Sequence, residues 1–356
     1  MLACILIGLF LVQPQAALDL PTPNPLDISP EIRSYLDVKV HRNDPPMLRL
    51  QELVSTVFQD RDLNFSYSVE TRSAIETFTA RSGNCLSFTI LFIAMARYVG
   101  LDARFREVEI APTWSKNGLF VNLNLHVNAG VFIEGQAYAI DVFPVINRIE
   151  IGARPVPDER GIAHFYSNLG ANELGQGNLD AAERWLRKAL EVDPTAVGVW
   201  INLGAAKSQA KQLKEAEKCY RKALELEPGN QVAMGNLAGL CELTGRLQEA
   251  KRLLAKVKQF REKNPYHHFS LGQQAYADSR YEESIVHFKK ALKLKAREHN
   301  FYFALARSFS QLGRVADAEN SLQLAVKYAA DPANKARYSE KLELLKNVRS
   351  QPGGIS

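Results

Sequence analysis

Residues 203–237, LGAAKSQAKQLKEAEKCYRKALELEPGNQVAMGNL, begin and end on the same step of a pattern that repeats every 34 positions. The leucine that marks it recurs at Leu169, Leu203, Leu237, Leu271 and Leu305 without a slip. Thirteen residues after each comes a small side chain: Ala182, Ala216, Ala250, Ser284 and Ala318. Four further on is a large apolar one (Leu186, Tyr220, Leu254, Phe288, Leu322), and three more brings Ala189, Ala223, Val257, Ala291 and Ala325. This spacing predicts two amphipathic helices per unit, with turns near Gly177, Gly245 and Gly313. Small residues recur where paired helices must approach closely.

A helix–turn–helix unit of 34 residues resembles the tetratricopeptide repeat. The likeness covers residues 163–332 as five repeats, with 333–348 as a capping helix, and Trp200-Ile201-Asn202-Leu203-Gly204 matches the opening of the repeat well. Pro194 and Pro228 close the first two units, whereas Glu262 stands where the third should close and Pro265 follows, so an irregular turn is expected there. The resemblance implies a groove, lined by the first helix of each unit, that binds a protein or peptide segment. By phase His164, Phe269, Tyr276, Phe303 and Arg307 should face it, or else fill the gaps between repeats. The formal net charge is −4 over residues 1–162 and +9 over 163–356. The surplus sits mostly on second helices, as a solvated convex face. No basic stripe with interleaved aromatics is present, so nucleic acid is not an expected partner.

The whole chain of 356 residues is 46% apolar and 23% charged, an ordinary globular balance that excludes wholesale disorder, a collagen-like chain and a multispan membrane protein. Its length suggests two domains. Residues 1–12 are an unbroken apolar run, too short for a membrane span of about 20 residues and of the length of a signal-peptide core. With Ala16 and Ala17 behind it, residues 1–17 are expected to be a signal peptide, which would export the chain to the periplasm or beyond. Cys4 lies ahead of the apolar run, so lipid anchoring through it is not expected. Residues 18–44, proline-rich at their start, read as an extended linker. Four cysteines cannot form a disulfide scaffold. Removal of the signal peptide leaves Cys85, Cys219 and Cys241, an odd number, hence at least one free thiol.

The first half carries candidate chemistry. Residues 45–59 and 70–80 read as helices. Arg81-Ser82-Gly83-Asn84-Cys85 then leads into an apolar helix over 86–99 that Gly100 stops. Cys85 is thereby placed at a helix N-terminus, where the positive end of the helix favours a thiolate and free N–H groups can hold an oxyanion. A strand is expected over 103–110. Residues 121–128, VNLNLHVN, alternate without fault, which puts His126 on the face of Asn122, Asn124 and Asn128. A second strand over 136–143, joined through a two-residue turn at Glu134-Gly135, sets Asp141 across from Asn128 and diagonal to His126.

Cysteine at a helix start, then histidine and aspartate on adjacent strands, resembles the transglutaminase-like, papain-related thiol enzymes. The likeness covers residues 45–145 and rests on Gly83-Asn84-Cys85-Leu86-Ser87, on the helix end Ala96-Arg97-Tyr98-Val99-Gly100-Leu101, on His126 and on Asp141-Val142-Phe143-Pro144. It implies a nucleophilic Cys85, a His126 that holds the thiolate and protonates a leaving amine, and an Asp141 that orients the imidazole. It also implies attack on an amide bond, with no cofactor; Cys/His clusters with ligand spacing are absent, so no metal is expected. The expected fold is an α+β transglutaminase-like domain with a small antiparallel sheet over 45–153, a hinge over 154–162, and then an all-α tetratricopeptide-repeat solenoid. The alternative reading is a non-catalytic tetratricopeptide adaptor whose thiol domain is a relict.

Overall fold

The computed structural model describes residues 24–59, 63–110, 113–114, 121–122, 125–141 and 150–350. The expected signal peptide and residues 142–149, which include Val142-Phe143-Pro144, lie outside them.

The N-terminal half opens with helices α1 (Pro30–Lys39) and α2 (Pro46–Gln59), a short strand β1 (Ser66–Tyr67), helix α3 (Ala74–Ala80), strand β2 (Ser82–Gly83) and helix α4 (Cys85–Tyr98). Strands β3 (Asp102–Ile110), β4 (Thr113–Trp114), β5 (Val121–Asn122), β6 (Leu125–Ile133), β7 (Gln136–Ile140) and β8 (Glu150–Val156) follow. The main sheet has the order β7-β6-β3-β8 and its pairs are antiparallel. Helix α4 is its backing. From Leu86 to Ala96 every residue of α4 is buried, because the sheet covers one side and α1, α2 and α3 cover the other. That explains an apolar run too uniform to show an amphipathic stripe.

The stretch expected as a linker is partly a helix. Ser29 caps α1 by accepting the Ile32 N–H, Pro30 occupies the first turn, and Ile32, Leu36 and Val40 are buried in the core. A proline that reads as a chain extender is here a helix starter, since its missing N–H costs nothing at that position. The expected hinge is also corrected. Residues 154–156 belong to β8, and helix α5 (Asp158–Gly175) begins after Pro157. A Cβ added to Gly161 of α5 would lie 2.3 Å from the Phe105 ring, so strand and helix are in intimate contact. Arg97 in the last turn of α4 makes paired hydrogen bonds to the Asp158 carboxylate, at 2.6 and 2.7 Å, and donates to the Ala103 carbonyl. One hydrophobic core runs without a break from Ile32 of α1 to Cys219 in the second repeat. The two halves join as one packed body.

The repeats pair α5 with α6 (Leu179–Val192), α7 (Val197–Gln209) with α8 (Leu213–Leu226), and α9 (Gln231–Leu243) with α10 (Leu247–Glu262). Next come α11 (Pro265–Ala277) with α12 (Tyr281–Leu294), and α13 (His299–Gln311) with α14 (Val315–Tyr328). The final helix, α15 (Pro332–Ser350), packs on α14 and buries Tyr338. Ala182, Ala216, Ala250, Ser284 and Ala318 are all buried, which lets the helices of each pair approach. Where the irregular turn was expected, α10 runs on to Glu262. Pro265 then starts α11 behind an Asn264 cap, the role a proline fills at a first turn. No helix of the described residues is long and apolar enough to cross a membrane.

Candidate active site

The site is assembled at the start of α4. Chain reversal ahead of it is set by Arg81, which ends α3 in the left-handed region at φ 54°, and by the parallel pairing of β2 with β1. Gly83 admits no side chain, since an added Cβ would lie 2.6 Å from Cβ of Ser87. Asn84 is the cap: its side-chain oxygen accepts the Ser87 N–H at 3.0 Å, and its amide donates to Thr71 Oγ1 at 2.7 Å. The Asn84 carbonyl takes the Phe88 N–H. This leaves the N–H groups of Cys85 and Leu86 as first-turn donors without an acceptor among the described residues. Cys85 itself is half-buried at the head of the helix.

His126 comes from β6. Its side chain is 5% exposed and alternates away from Val127, Ala129, Val131 and Ile133, which line the core. The β6–β7 hairpin turns through Glu134 (φ 51°) and Gly135 (φ 81°), and Ile133 pairs with Gln136. Two positive φ angles in a two-residue loop match the right-handed twist of the flanking strands. The pairing runs down to Ala129 with Ile140, so Asp141 follows at the end of β7. Its Oδ2 lies 2.5 Å from Nε2 of His126. Nε2 is the ring nitrogen that meets the carboxylate. Burial works against a charged ring. The Asp141 carboxylate and the Cys85 sulfur outweigh it and push the His126 pKa up to about 9. The structure thus brings His126 and Asp141 together, with Cys85 at the start of the helix that backs their sheet.

The expected strand over 121–128 is divided. Val121 and Asn122 form β5, which pairs with β4 and not with the main sheet, whereas His126 lies in β6. The sequence alternation spans two different pairings, which periodicity alone cannot separate.

The other cysteines are unlike Cys85. Cys219 and Cys241 are buried and free, and burial pushes the Cys219 thiol up to about 11. A bond the sequence reading missed joins helix to strand: Thr89 Oγ1 lies 2.8 Å from the Cys85 carbonyl and 3.1 Å from the Val127 carbonyl. A threonine one turn after the cysteine was visible in the sequence, but its partner on β6 was not.

The expected groove residues fare differently. Phe269 is 6% exposed and packs against Phe288 and Phe301, so it serves the interior and cannot line a groove. Its helix turns that side toward α12 and α13. His164 is also removed from the groove: its Nε2 lies 2.9 Å from the buried Glu107 carboxylate of β3, which Arg154 also contacts at 2.7 Å. Tyr276 is half-buried with the Arg307 guanidinium over its ring at 4.5 Å. Phe303 stacks on Tyr338 of the last helix at 4.7 Å. The neighbouring rings of His267 and His268 are joined by that of His287, which stacks on His268. Among the described residues His41, Asp44 and Glu52 form one surface group with metal-ligating atoms within 4.8 Å of one another. His41 Nδ1 and its backbone N–H are already engaged by the Glu52 carboxylate, at 2.9 Å each.

With that geometry in hand, comparison with known proteins is specific at the family level. Residues 37–140 match the transglutaminase-like superfamily. Residues 162–192, 197–230 and 269–335 match tetratricopeptide repeat families. Among solved structures the chain is similar to pilF of Pseudomonas aeruginosa, at 22% identity over 55% of this chain and 88% of that one, with a TM-score of 0.29. It is similar to MamA at 19% identity, over 49% of this chain and 94% of that one, with a TM-score of 0.27. It is also similar to YrrB, described as a tetratricopeptide protein with an unusual peptide-binding site, at 17% identity, 50% and 92% coverage and a TM-score of 0.27. No curated protein matches the chain.

Proposed function

For a chain that joins a transglutaminase-like domain to tetratricopeptide repeats, we propose a cysteine-dependent enzyme acting on amide bonds, with repeats that bind a protein or peptide partner. The observation that supports the reading is the buried His126, its Nε2 2.5 Å from the Asp141 carboxylate and its pKa pushed up to about 9, on the sheet against which the helix headed by Cys85 packs. A cationic imidazole beside a sulfur at a helix N-terminus favours the nucleophilic thiolate.

The steps follow from the groups present. Cys85 Sγ attacks the amide carbonyl carbon, and negative charge develops on its oxygen. The N–H groups of Cys85 and Leu86, without an acceptor among the described residues, are donors available to that oxygen. As the C–N bond breaks, His126 delivers its proton to the departing nitrogen, and a thioester remains on Cys85. Asp141 keeps the ring oriented throughout. Water or an amine then attacks the thioester carbonyl and gives its proton to His126, and the sulfur leaves as thiolate. Water completes a hydrolase and an amine completes a transamidase.

The test is alkylation by a thiol-directed electrophile at neutral pH. Among the described cysteines Cys219 and Cys241 are buried, so Cys85 is the one of the three accessible to reagent, and labelling is assigned to it by peptide mapping. Fast labelling at Cys85, slowed at least tenfold in His126→Ala, supports the enzyme. Labelling at the pace of an ordinary thiol, unchanged in that variant, means a non-catalytic adaptor. We further propose an exported protein, checked by whether residues 1–17 are missing from the mature chain.

A further inference from the structure

The sheet that carries His126 has two unlike faces. On one, Val127, Ala129 and Val131 of β6 and Ala103 and Phe105 of β3 share the hydrophobic core with α4, and Phe105 meets α5 at Gly161. The period of two puts His126, Asn128 and Gly130 on the other face, with Val108 opposite His126 and Arg106 opposite Asn128. Asp141 reaches the same face from β7, one residue past Ile140, the partner of Ala129. His126 and Asp141 therefore stand at one end of a strip that continues through Asn128 and Arg106.

Two side chains of this strip have no bonding partner among the described residues. Asn128 is 4% exposed, its amide makes no hydrogen bond, and its Oδ1 is sealed from solvent. A buried polar group in that state is costly and calls for an explanation, because an apolar side chain of similar size would avoid the cost. Arg106 is half-buried, and its guanidinium makes neither a hydrogen bond nor an ion pair. The acids around it are taken. Asp102 is bound by Arg104, Asp141 by His126, and Glu107, on the core face, by Arg154 and His164. The arginine stem lies across β6 where residue 130 is glycine, since a Cβ added there would stand 2.4 Å from Arg106 Cδ. Gly130 thus makes the seat of the arginine beside Asn128.

We propose that Arg106 and Asn128 form a subsite for a carboxylate of the peptide substrate, beside the His126–Asp141 pair. A guanidinium presents a planar fork of N–H donors that matches two carboxylate oxygens, and it accepts nothing. The Asn128 NH2 group adds a donor, and its Oδ1 takes a main-chain N–H of the same ligand. Strands advance about 3.3 Å per residue, so Asn128 lies about 7 Å and Gly130 about 13 Å along β6 from His126, which places the carboxylate about two to four residues from the scissile amide of an extended substrate. The substrate class is therefore an acidic peptide. Only the turnover of that peptide rests on the proposed chemistry; its binding does not.

The experiment titrates the full chain by calorimetry with three peptides. Acetyl-Glu-Gly-Gly-Gln-Gly-Gly-Glu-amide carries an acid on either side of a central carboxamide. Its twin has Gln for both Glu, and the third is that twin with a free C-terminal carboxylate. The acidic peptide should bind at least tenfold more tightly than the twin, and the preference should vanish in Arg106→Met, which keeps an unbranched stem over Gly130. A preference for the third peptide alone, equally lost in Arg106→Met, assigns the subsite to a terminal carboxylate. Equal binding of all three, binding of none, or a preference that survives Arg106→Met overturns the proposal; the last outcome would place the acid on the basic surface of the repeats. A second measurement guards against a misfolded variant. Asn128→Leu should raise the unfolding temperature of the free chain, since it removes an unpaired buried amide, while weakening the acidic peptide severalfold. A lowered unfolding temperature, or unchanged binding, removes Asn128 from the subsite and overturns the proposal as stated. None of these readouts needs a reactive sulfur, so slow alkylation of Cys85 would end the enzyme reading and leave the subsite standing.

Discussion

Thr89 Oγ1 lies 3.1 Å from the Val127 carbonyl and 2.8 Å from the Cys85 carbonyl. A single hydroxyl therefore sits between the first turn of the cysteine helix and the strand residue that follows His126. Thr89 is 5% exposed, so the hydroxyl makes these bonds away from bulk water. Thr89→Val keeps the shape and removes the donor. It should cost about 1–2 kcal/mol of stability, the range for a buried hydrogen bond. If the tether also sets the sulfur against the ring, Cys85 alkylation should slow severalfold in Thr89→Val and recover in Thr89→Ser. Equal loss in both variants would assign Thr89 to packing alone.

The second prediction concerns His126. Its pKa in the folded chain is raised to about 9, above the ordinary 6.5. A raised value means that the folded state holds the proton more tightly than the unfolded chain. The resulting stabilisation is complete below pH 6.5 and is lost as pH rises through 9. Asp141→Asn removes the carboxylate that raises it. Thermal unfolding should show the variant about 1–3 kcal/mol less stable at pH 6, with the gap closing above pH 9. Imidazole resonances should titrate at lower pH in the variant.

Glu107 makes the opposite case. Burial alone would raise its pKa, but hydrogen bonds from His164 and Arg154 and the nearby Arg160 charge hold it at about 2. A lowered carboxylate stabilises the fold above its unfolded value near 4.5, and the contribution is lost as pH falls through 2. Glu107→Gln should therefore cost about 2–3 kcal/mol at neutral pH and progressively less below pH 4.5. A pH-independent difference in unfolding temperature would exclude the ionic origin.

The junction between the halves is testable by size. An added methyl at Gly161 would lie 2.3 Å from the Phe105 ring. Gly161→Ala should destabilise the chain by about 1–3 kcal/mol through overpacking. Phe105→Leu in the same chain should recover part of that loss, a coupling expected only of residues in contact. Additive losses would mean that the two are not packed as described.

Much of the site was legible because its determinants are local. A Gly-Asn turn before a long apolar run puts Cys85 at a helix start. A two-residue turn plus strict alternation sets the pairing of β6 with β7, and one shared face follows from period two. Phase was equally readable in the repeats, since 34-residue spacing places the same residue types at the same contacts five times over. Phe269 shows where phase stops: position on a helix says which way a side chain turns, but its burial depends on how α12 and α13 close over it.

The amino-acid order alone determined the two architectures, their sequence along the chain, and which cysteine, histidine and aspartate could meet. Only the tertiary structure decided that residues 30–39 are a core helix, that Arg97, Phe105 and Glu107 weld the halves where a hinge was expected, and that the β4–β5 ribbon lies against the repeats. The physical reason is range. Turn chemistry and periodicity act over a few residues, whereas burial of an otherwise marginal helix or ribbon depends on which distant surface is there to cover it.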